Sequence, residues 1–79
     1  MIIQLALFAY LSRYQPDGRS GRDSRPLEVA EGSTVGDVIA LLGLPDGPRA
    51  VFLNGRHAAD DRPLSDGDRL AIFPPIAGG

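Results

Sequence analysis

One segment of this sequence has the pattern of an amphipathic helix, and segments that alternate like strands flank it. The segment is STVGDVIALLGLP, residues 33–45. Four of its apolar residues recur at the spacing i, i+3, i+4 and i+7: Val35, Val38, Ile39 and Leu42. This spacing places them on one helix face, which must pack against other elements. Gly36 inside the helix costs about 1 kcal/mol relative to alanine. A glycine at this position therefore indicates a close packing contact that leaves no room for a side chain.

The sequence marks both the start and the end of this helix. Ser33 or Thr34 can cap the first turn, and Asp37 follows Thr34 by three residues, as in a capping box. Gly43 suits the left-handed residue after the last turn, and Pro45 prevents continuation. The helix is therefore short, and the rest of the core must come from strands.

Two strands are predicted before the helix. IIQLALF, residues 2–8, and PLEVAEG, residues 26–32, alternate between faces, and Leu27 and Val29 share one face in the second. The polar stretch QPDGRSGRDSR, residues 15–25, is a loop between them. Because a loop rather than a helix joins these strands, we expect them to be antiparallel.

Further strands follow the helix. AVFLNGRH, residues 50–57, is a strand that enters a turn at Asn54-Gly55, a strong hairpin signal. PLSDGDRLAIF, residues 63–73, has a turn at Asp66-Gly67 and a strand from about Arg69 to Phe73. The order strand, strand, helix, strands predicts an α+β fold of the β-grasp or ubiquitin-like type. Its mixed four- to five-stranded sheet would pack on one main helix.

Composition excludes several classes of function. The formal net charge is −2, which disfavours nucleic acid as the main partner. All eight basic residues are arginine, so the chain lacks the lysine of a phosphate-binding Walker A loop and of Schiff-base catalysis. It has no cysteine, which excludes disulfides, thiolate metal sites and a cysteine nucleophile.

The apolar first segment does not have the pattern of a signal peptide. It lacks a basic region and a small-residue cleavage site, and no run approaches the roughly 18 apolar residues of a membrane span. We therefore expect a cytoplasmic protein that does not enter a membrane.

The sequence ends in FPPIAGG. Pro74 and Pro75 cannot donate to a strand ladder, so the last strand should end there. We predict a domain over residues 1–75 and a flexible Gly-Gly tail over residues 76–79. The tail could extend roughly 13 Å.

The tail has little side-chain bulk at its end. Beyond Ile76 and Ala77, Gly78 and Gly79 have no side chains, so this end could enter a narrow channel in another protein. The carboxylate of Gly79 would then be the reactive group, and a separate enzyme would have to activate it. The alternative is a frayed end with no role.

Two segments carry a family resemblance. PLSDGDRLAIFPPIAGG at residues 63–79 and VFLNG at residues 51–55 resemble the MoaD/ThiS family of ubiquitin-like sulfur carriers. The FPP motif is more similar to MoaD, the small subunit of molybdopterin synthase, than to ThiS of thiamine synthesis. LFAYLSRY, residues 7–14, fits the first-strand pattern of MoaD-like proteins more loosely, and residues 15–25 match no motif.

The resemblance implies a carrier rather than an enzyme. An E1-like adenylyltransferase would use ATP and Mg²⁺ to adenylate Gly79, and a sulfur donor would then displace AMP to give a thiocarboxylate. The sulfur acceptor would be an enzyme such as a molybdopterin synthase large subunit. The resemblance implies no cofactor bound by this chain, and residues 74–78 would lie in the partner's channel.

Strand alternation predicts where the aromatic residues lie. If the aliphatic residues of each strand face the helix, the three phenylalanines share the outer sheet surface: Phe8, Phe52 and Phe73. Such a patch is typical of a partner surface. A one-residue slip would instead place a phenylalanine in the core.

Other polar clusters have simpler explanations than a ligand site. His57 with Asp60 and Asp61, and the SDGD motif at residues 65–68, could suggest a metal, but turn residues explain both, and we predict no metal site. Four arginines near the first loop could suggest RNA binding: Arg13, Arg19, Arg22 and Arg25. Acidic residues interleave with them, which favours a solvated loop.

Three alternative functions remain open at this point. One is a ThiS-like carrier for thiazole synthesis, and another is a ubiquitin-like modifier that joins Gly79 to lysines of other proteins. The third is a non-catalytic binding module like the TGS domains, which share the NG and DGD turns.

Overall fold

The structure, a computed structural model, describes residues 1–15, 24–45 and 47–74. Its elements follow in chain order: β1 (Ile2–Leu7), a 3₁₀ helix (Ala9–Tyr14), β2 (Arg25–Glu28), α1 (Val35–Leu42), β3 (Ala50–Leu53), β4 (Arg56–His57) and β5 (Arg69–Phe73).

The five strands form one mixed sheet in the order β2-β1-β5-β3-β4. β1 and β2 are antiparallel, as expected, whereas β1 and β5 pair in parallel at the centre. β3 pairs antiparallel with both β5 and β4. The predicted β-grasp architecture, a mixed sheet with one main helix, is confirmed.

The core lies between α1 and one face of the sheet. The sheet contributes aliphatic side chains that alternate along the three central strands: Ile3, Leu5, Leu7, Val51, Leu53, Leu70 and Ile72. The helix contributes Val35, Val38 and Ile39, all of which are buried. Leu42, the fourth residue of the predicted stripe, is only partly buried and packs at the edge of this cluster.

The capping signals act as predicted, and Thr34 rather than Ser33 is the cap. The Asp37 N–H donates to Thr34 Oγ1 at 3.2 Å, and the Thr34 N–H donates to Asp37 Oδ2 at 2.9 Å. Gly43 closes the helix with a φ of 71°, in the left-handed region that glycine adopts readily.

Close packing explains the glycine inside α1. The Gly36 N–H donates to the carbonyl oxygen of Asp60 at 2.7 Å. A Cβ at this position would lie 3.1 Å from that same oxygen. The segment after β4 therefore lies directly against the helix backbone, and a side chain at residue 36 would disturb it.

Two strand predictions differ from the structure. β1 ends at Leu7 instead of residue 8, and Ala9–Tyr14 of the LFAYLSRY segment form a 3₁₀ helix rather than more strand. Ala9 has a φ of 52°, which breaks the extended path, and Leu11 is buried and anchors the helix. β2 ends at Glu28 instead of residue 32, so Val29 is buried beyond the strand.

Candidate functional site

Four rings lie together on the sheet face opposite α1, and we call them the aromatic cluster: Phe8, Phe52, His57 and Phe73. Phe8 and Phe73 are stacked, with ring centroids 4.1 Å apart and planes 10° apart. Phe52 meets Phe73 edge-on at 5.6 Å, and His57 packs on Phe52 at 4.4 Å. The three phenylalanines are half-buried.

Strand register brings these rings together. Phe8 follows β1, and Phe73 ends the adjacent parallel strand β5. Phe52 lies across from Ala71 on β5 and from His57 on β4. Ala6 and Ala71 pair with each other on the same face, and they are 0% and 3% exposed. The structure thus places all three predicted phenylalanines on one outer surface.

The aromatic cluster lies where the chain leaves the sheet. Phe73 is the last residue of β5, and the Phe8 N–H donates to the carbonyl oxygen of Ile72 at 3.1 Å. Pro74 follows outside any strand, as predicted, and lines a shallow cleft with Tyr10 and Arg49. The other predicted tail residues lie outside the described residues: Pro75, Ile76, Ala77, Gly78 and Gly79.

Asn54, in the turn next to the aromatic cluster, links two parts of the sheet. Asn54 has a φ of 53° at the β3–β4 turn. Its Nδ2 donates to Asp68 Oδ1 at 2.9 Å, and its Oδ1 accepts from the Arg69 N–H at 2.9 Å. Asn54 therefore fixes the β3–β4 turn against the start of β5. The Asn54-Gly55 pattern predicts the turn but not these two side-chain hydrogen bonds.

The carboxylates of the SDGD motif accept backbone hydrogen bonds. Asp66 Oδ1 accepts from the Ile2 N–H at 2.7 Å, and Asp68 Oδ2 accepts from the Ser65 N–H at 2.7 Å. Within residues 1–15, 24–45 and 47–74, no group of three or more His, Cys, Asp or Glu is arranged to hold a metal ion.

His57 has a position that sequence reasoning missed. The sequence indicates a turn residue rather than a metal ligand at this position, and in the structure the His57 ring extends the aromatic cluster across Phe52. Strand alternation would have predicted this position, because the two-residue Asn-Gly turn places His57 opposite Phe52.

Of the helices in the described part of the chain, none is long and apolar enough to span a membrane. Two of the four arginines considered as an RNA site, Arg19 and Arg22, lie outside the described residues.

Known proteins are similar to this chain in sequence and in fold. The chain is 45% identical over 38 residues to the molybdopterin synthase sulfur carrier subunit of Escherichia coli K12. That match covers 48% of this chain and 47% of the relative, so it spans about half of each.

Two solved structures extend the likeness to nearly the whole chain. Small archaeal modifier protein 1 of Haloferax volcanii is 27% identical with a TM-score of 0.73, over 95% of this chain and 98% of that one. Subunits 1 and 2 of the molybdopterin-converting factor of Helicobacter pylori form a complex. The matching chain there is 21% identical with a TM-score of 0.62, over 100% of both chains, a likeness of fold alone.

The family assignment rests on a longer match than the curated relative gives. Residues 8–79 match the ThiS family, and this range includes α1, β3, β5 and the terminal Gly-Gly. It also includes all four rings of the aromatic cluster. The chain belongs to the ThiS family.

Proposed function

We propose that this chain is a sulfur carrier that delivers sulfur for molybdopterin synthesis. The observation that carries the proposal is the 45% identity over 38 residues to the sulfur carrier subunit of the Escherichia coli molybdopterin synthase. The family match over residues 8–79 supports it, because it extends through the Gly-Gly end. The chain acts as a carrier or small accessory subunit and leaves catalysis to its partners.

The reactive group in this proposal is the carboxylate of Gly79. A carboxylate oxygen is a poor leaving group, so an E1-like adenylyltransferase first joins it to the α-phosphate of ATP with Mg²⁺ and releases pyrophosphate. A sulfur nucleophile then attacks the carbonyl carbon and AMP leaves, which gives the thiocarboxylate. Every atom of ATP and the metal is held by the partner, and this chain supplies only the acyl group.

The tail gives the carboxylate its reach. Pro74 ends the strand ladder, and residues 75–79 carry the acyl group away from the folded domain. Gly78 and Gly79 add no side-chain bulk, so the end of the chain passes into a narrow channel of the partner.

The aromatic cluster is the docking surface in this proposal. Half-buried aromatic rings contribute much apolar contact area at little entropic cost, and aromatic residues are enriched among interface hot spots. The cluster lies immediately before the tail, so a partner that covers Phe73 also receives the reactive end. The activating enzyme and the acceptor, a protein like the second subunit of the Helicobacter pylori complex, would bind it in turn.

A second function has specific support. The chain is similar to a Haloferax volcanii protein described as a small archaeal modifier, over nearly its full length. A modifier uses the same adenylation step but transfers the acyl group to a lysine amine of another protein. A ThiS-like carrier for thiazole synthesis would also share the activation chemistry and differ only in its acceptor.

Intact-mass spectrometry tests the proposal. The purified protein is mixed with ATP, Mg²⁺, an E1-like adenylating enzyme from the same cell and sulfide. Exchange of one terminal oxygen for sulfur adds about 16 Da. Because oxidation of Met1 gives nearly the same shift, an alkylating reagent selective for thiocarboxylate identifies the product.

The control is the variant that lacks Gly79. It keeps every described residue, so its circular dichroism spectrum should match that of the parent while it forms no adduct. Formation of the adduct by this variant would contradict the mechanism. If the parent protein formed neither AMP nor the adduct, that would contradict it too. A covalent ladder on other proteins in cell extract would instead favour the modifier.

A further inference from the structure

Arg69 brings a positive charge to the outer face of the sheet, the face that carries the aromatic cluster. In β5, Arg69 alternates with Ala71 and Phe73 and is exposed, whereas Leu70 is buried in the core. Phe52 lies across from Ala71, so Arg69 is its diagonal neighbour. Diagonal neighbours on antiparallel strands are about 7–8 Å apart, a distance that long side chains span. Arg69 therefore borders the aromatic cluster.

Asn54 holds the backbone of Arg69 from the neighbouring strand. The Arg69 N–H donates to Asn54 Oδ1 at 2.9 Å, and the Arg69 carbonyl oxygen accepts the Asn54 N–H at 2.8 Å. Both backbone polar groups of Arg69 are therefore bonded to this one residue. The Arg69 side chain thus starts from a fixed point beside the aromatic cluster.

The positive charge of Arg69 has no partner within the described part of the chain, where its guanidinium forms neither an ion pair nor a hydrogen bond. Asp68, its neighbour in sequence, accepts Asn54 Nδ2 with one carboxylate oxygen and the Ser65 N–H with the other. Among the described strand residues of the outer face, only Glu28 has a carboxylate. It lies on β2, and β1 separates that strand from β5. The charge of Arg69 is therefore available to another protein.

A partner that covers the aromatic cluster also removes water from around Arg69, because the two are adjacent. Removing a charge from water costs free energy unless an opposite charge pairs with it. The nearest outer-face residues do not supply that charge. Gln4 lies across from Arg69 on β1, and His57 lies across from Phe52 on β4, and neither side chain is an anion. The anion must therefore come from the partner.

We propose that the protein surface that docks on the aromatic cluster has an apolar centre and, beside it, an aspartate or glutamate that pairs with Arg69. The inference rests on the proposed function, because it concerns the partner that receives the tail. The apolar centre covers the rings and removes their surface from water. The carboxylate forms a bidentate pair with the guanidinium, and this complementarity of charge speeds the encounter and fixes its orientation. Arg69 is thus a residue that selects the partner.

The test measures association of the full chain with the E1-like adenylating enzyme from the same cell by stopped-flow fluorescence, at low and at high salt. Arg69→Glu should lower the association rate constant by about tenfold at low salt and by less at high salt, where counterions screen the charge. Arg69→Gln should lower it by about threefold, and Arg69→Lys, which keeps the charge, should retain most of the rate. The matched control is Arg62→Glu, at an exposed arginine whose carbonyl oxygen accepts the Val35 N–H on the helix side. It makes the same charge change and should leave the rate within about twofold.

Comparison with Phe52→Ala separates this inference from the proposed function. If Arg69→Glu and Arg62→Glu slow association equally while Phe52→Ala still weakens binding, the inference is wrong and docking on the aromatic cluster stands. If Phe52→Ala binds as tightly as the parent, or the parent does not bind the enzyme, the docking surface itself is wrong and the inference fails with it. Each variant is checked first by circular dichroism, and Arg69→Gln serves as the test if Arg69→Glu does not fold.

Discussion

Replacing Gly36 with alanine sets two effects of similar size against each other. Alanine in a helix interior is worth about 1 kcal/mol more than glycine. The added methyl carbon, however, would lie 3.1 Å from the Asp60 carbonyl oxygen and 3.3 Å from the Asp60 Cβ. Overpacking of this kind costs about 1–3 kcal/mol.

The structure indicates which effect is larger. The Asp60 carbonyl oxygen already accepts the Gly36 N–H at 2.7 Å, and the Val35 N–H donates to the Arg62 carbonyl oxygen at 3.0 Å. Two hydrogen bonds thus hold this segment against α1, and it cannot retreat without lengthening them. We expect Gly36→Ala to lower the free energy of unfolding by about 1 kcal/mol.

The assay is urea and thermal unfolding followed by far-UV circular dichroism. A loss of about 1 kcal/mol corresponds to a Tm about 4–8 °C lower for a domain of this size. Ala40→Gly, at an exposed position of the same helix, measures helix propensity alone and should cost about 1 kcal/mol. A higher Tm for Gly36→Ala would refute the reasoning, because it would mean that the Asp60 segment yields freely.

Three further predictions follow from described contacts. Thr34→Ala removes the capping hydroxyl and should lower the free energy of unfolding by about 1 kcal/mol in urea, and no change would contradict the capping box. Asn54→Gly keeps the left-handed turn but loses both side-chain hydrogen bonds, so it should cost about 1–2 kcal/mol, whereas an unchanged urea midpoint would mean that these bonds contribute nothing. Phe52→Ala should weaken binding of the activating enzyme in calorimetry by about tenfold or more, and Tyr10→Ala should leave it unchanged; equal effects would argue against docking on the aromatic cluster.

Local signals made the helix predictable, and alternation made the outer phenylalanines predictable. Thr34, Asp37 and Gly43 act within one or two turns of chain, so their pattern is complete in the sequence. Strand alternation likewise needs only near neighbours, and it placed Phe52 and Phe73 on the outer face. These elements depend little on the rest of the molecule.

Features that depend on distant partners were not predictable. The 3₁₀ helix follows from the left-handed conformation of Ala9 and the burial of Leu11, neither of which an apolar run reveals. The pairing of Ala6 with Ala71 joins opposite ends of the chain, and no local pattern specifies such a register. The roles of residues 75–79 stay predictions, because those residues lie outside the described part.

The parallel pairing of β1 with β5 has a consequence for how the chain reaches its native state. Of the described strands, β1 is the first in the sequence and β5 is the last. β5 lies between β1 and β3 in the sheet and pairs with both. During translation, residues 1–68 therefore lack β5, the strand that joins β1 to β3. Such long-range pairing slows folding, because a loop of more than 60 residues must be closed first. We infer that the domain forms only after Phe73 has emerged, so the residues after β5 are synthesised before the sheet that precedes them is complete.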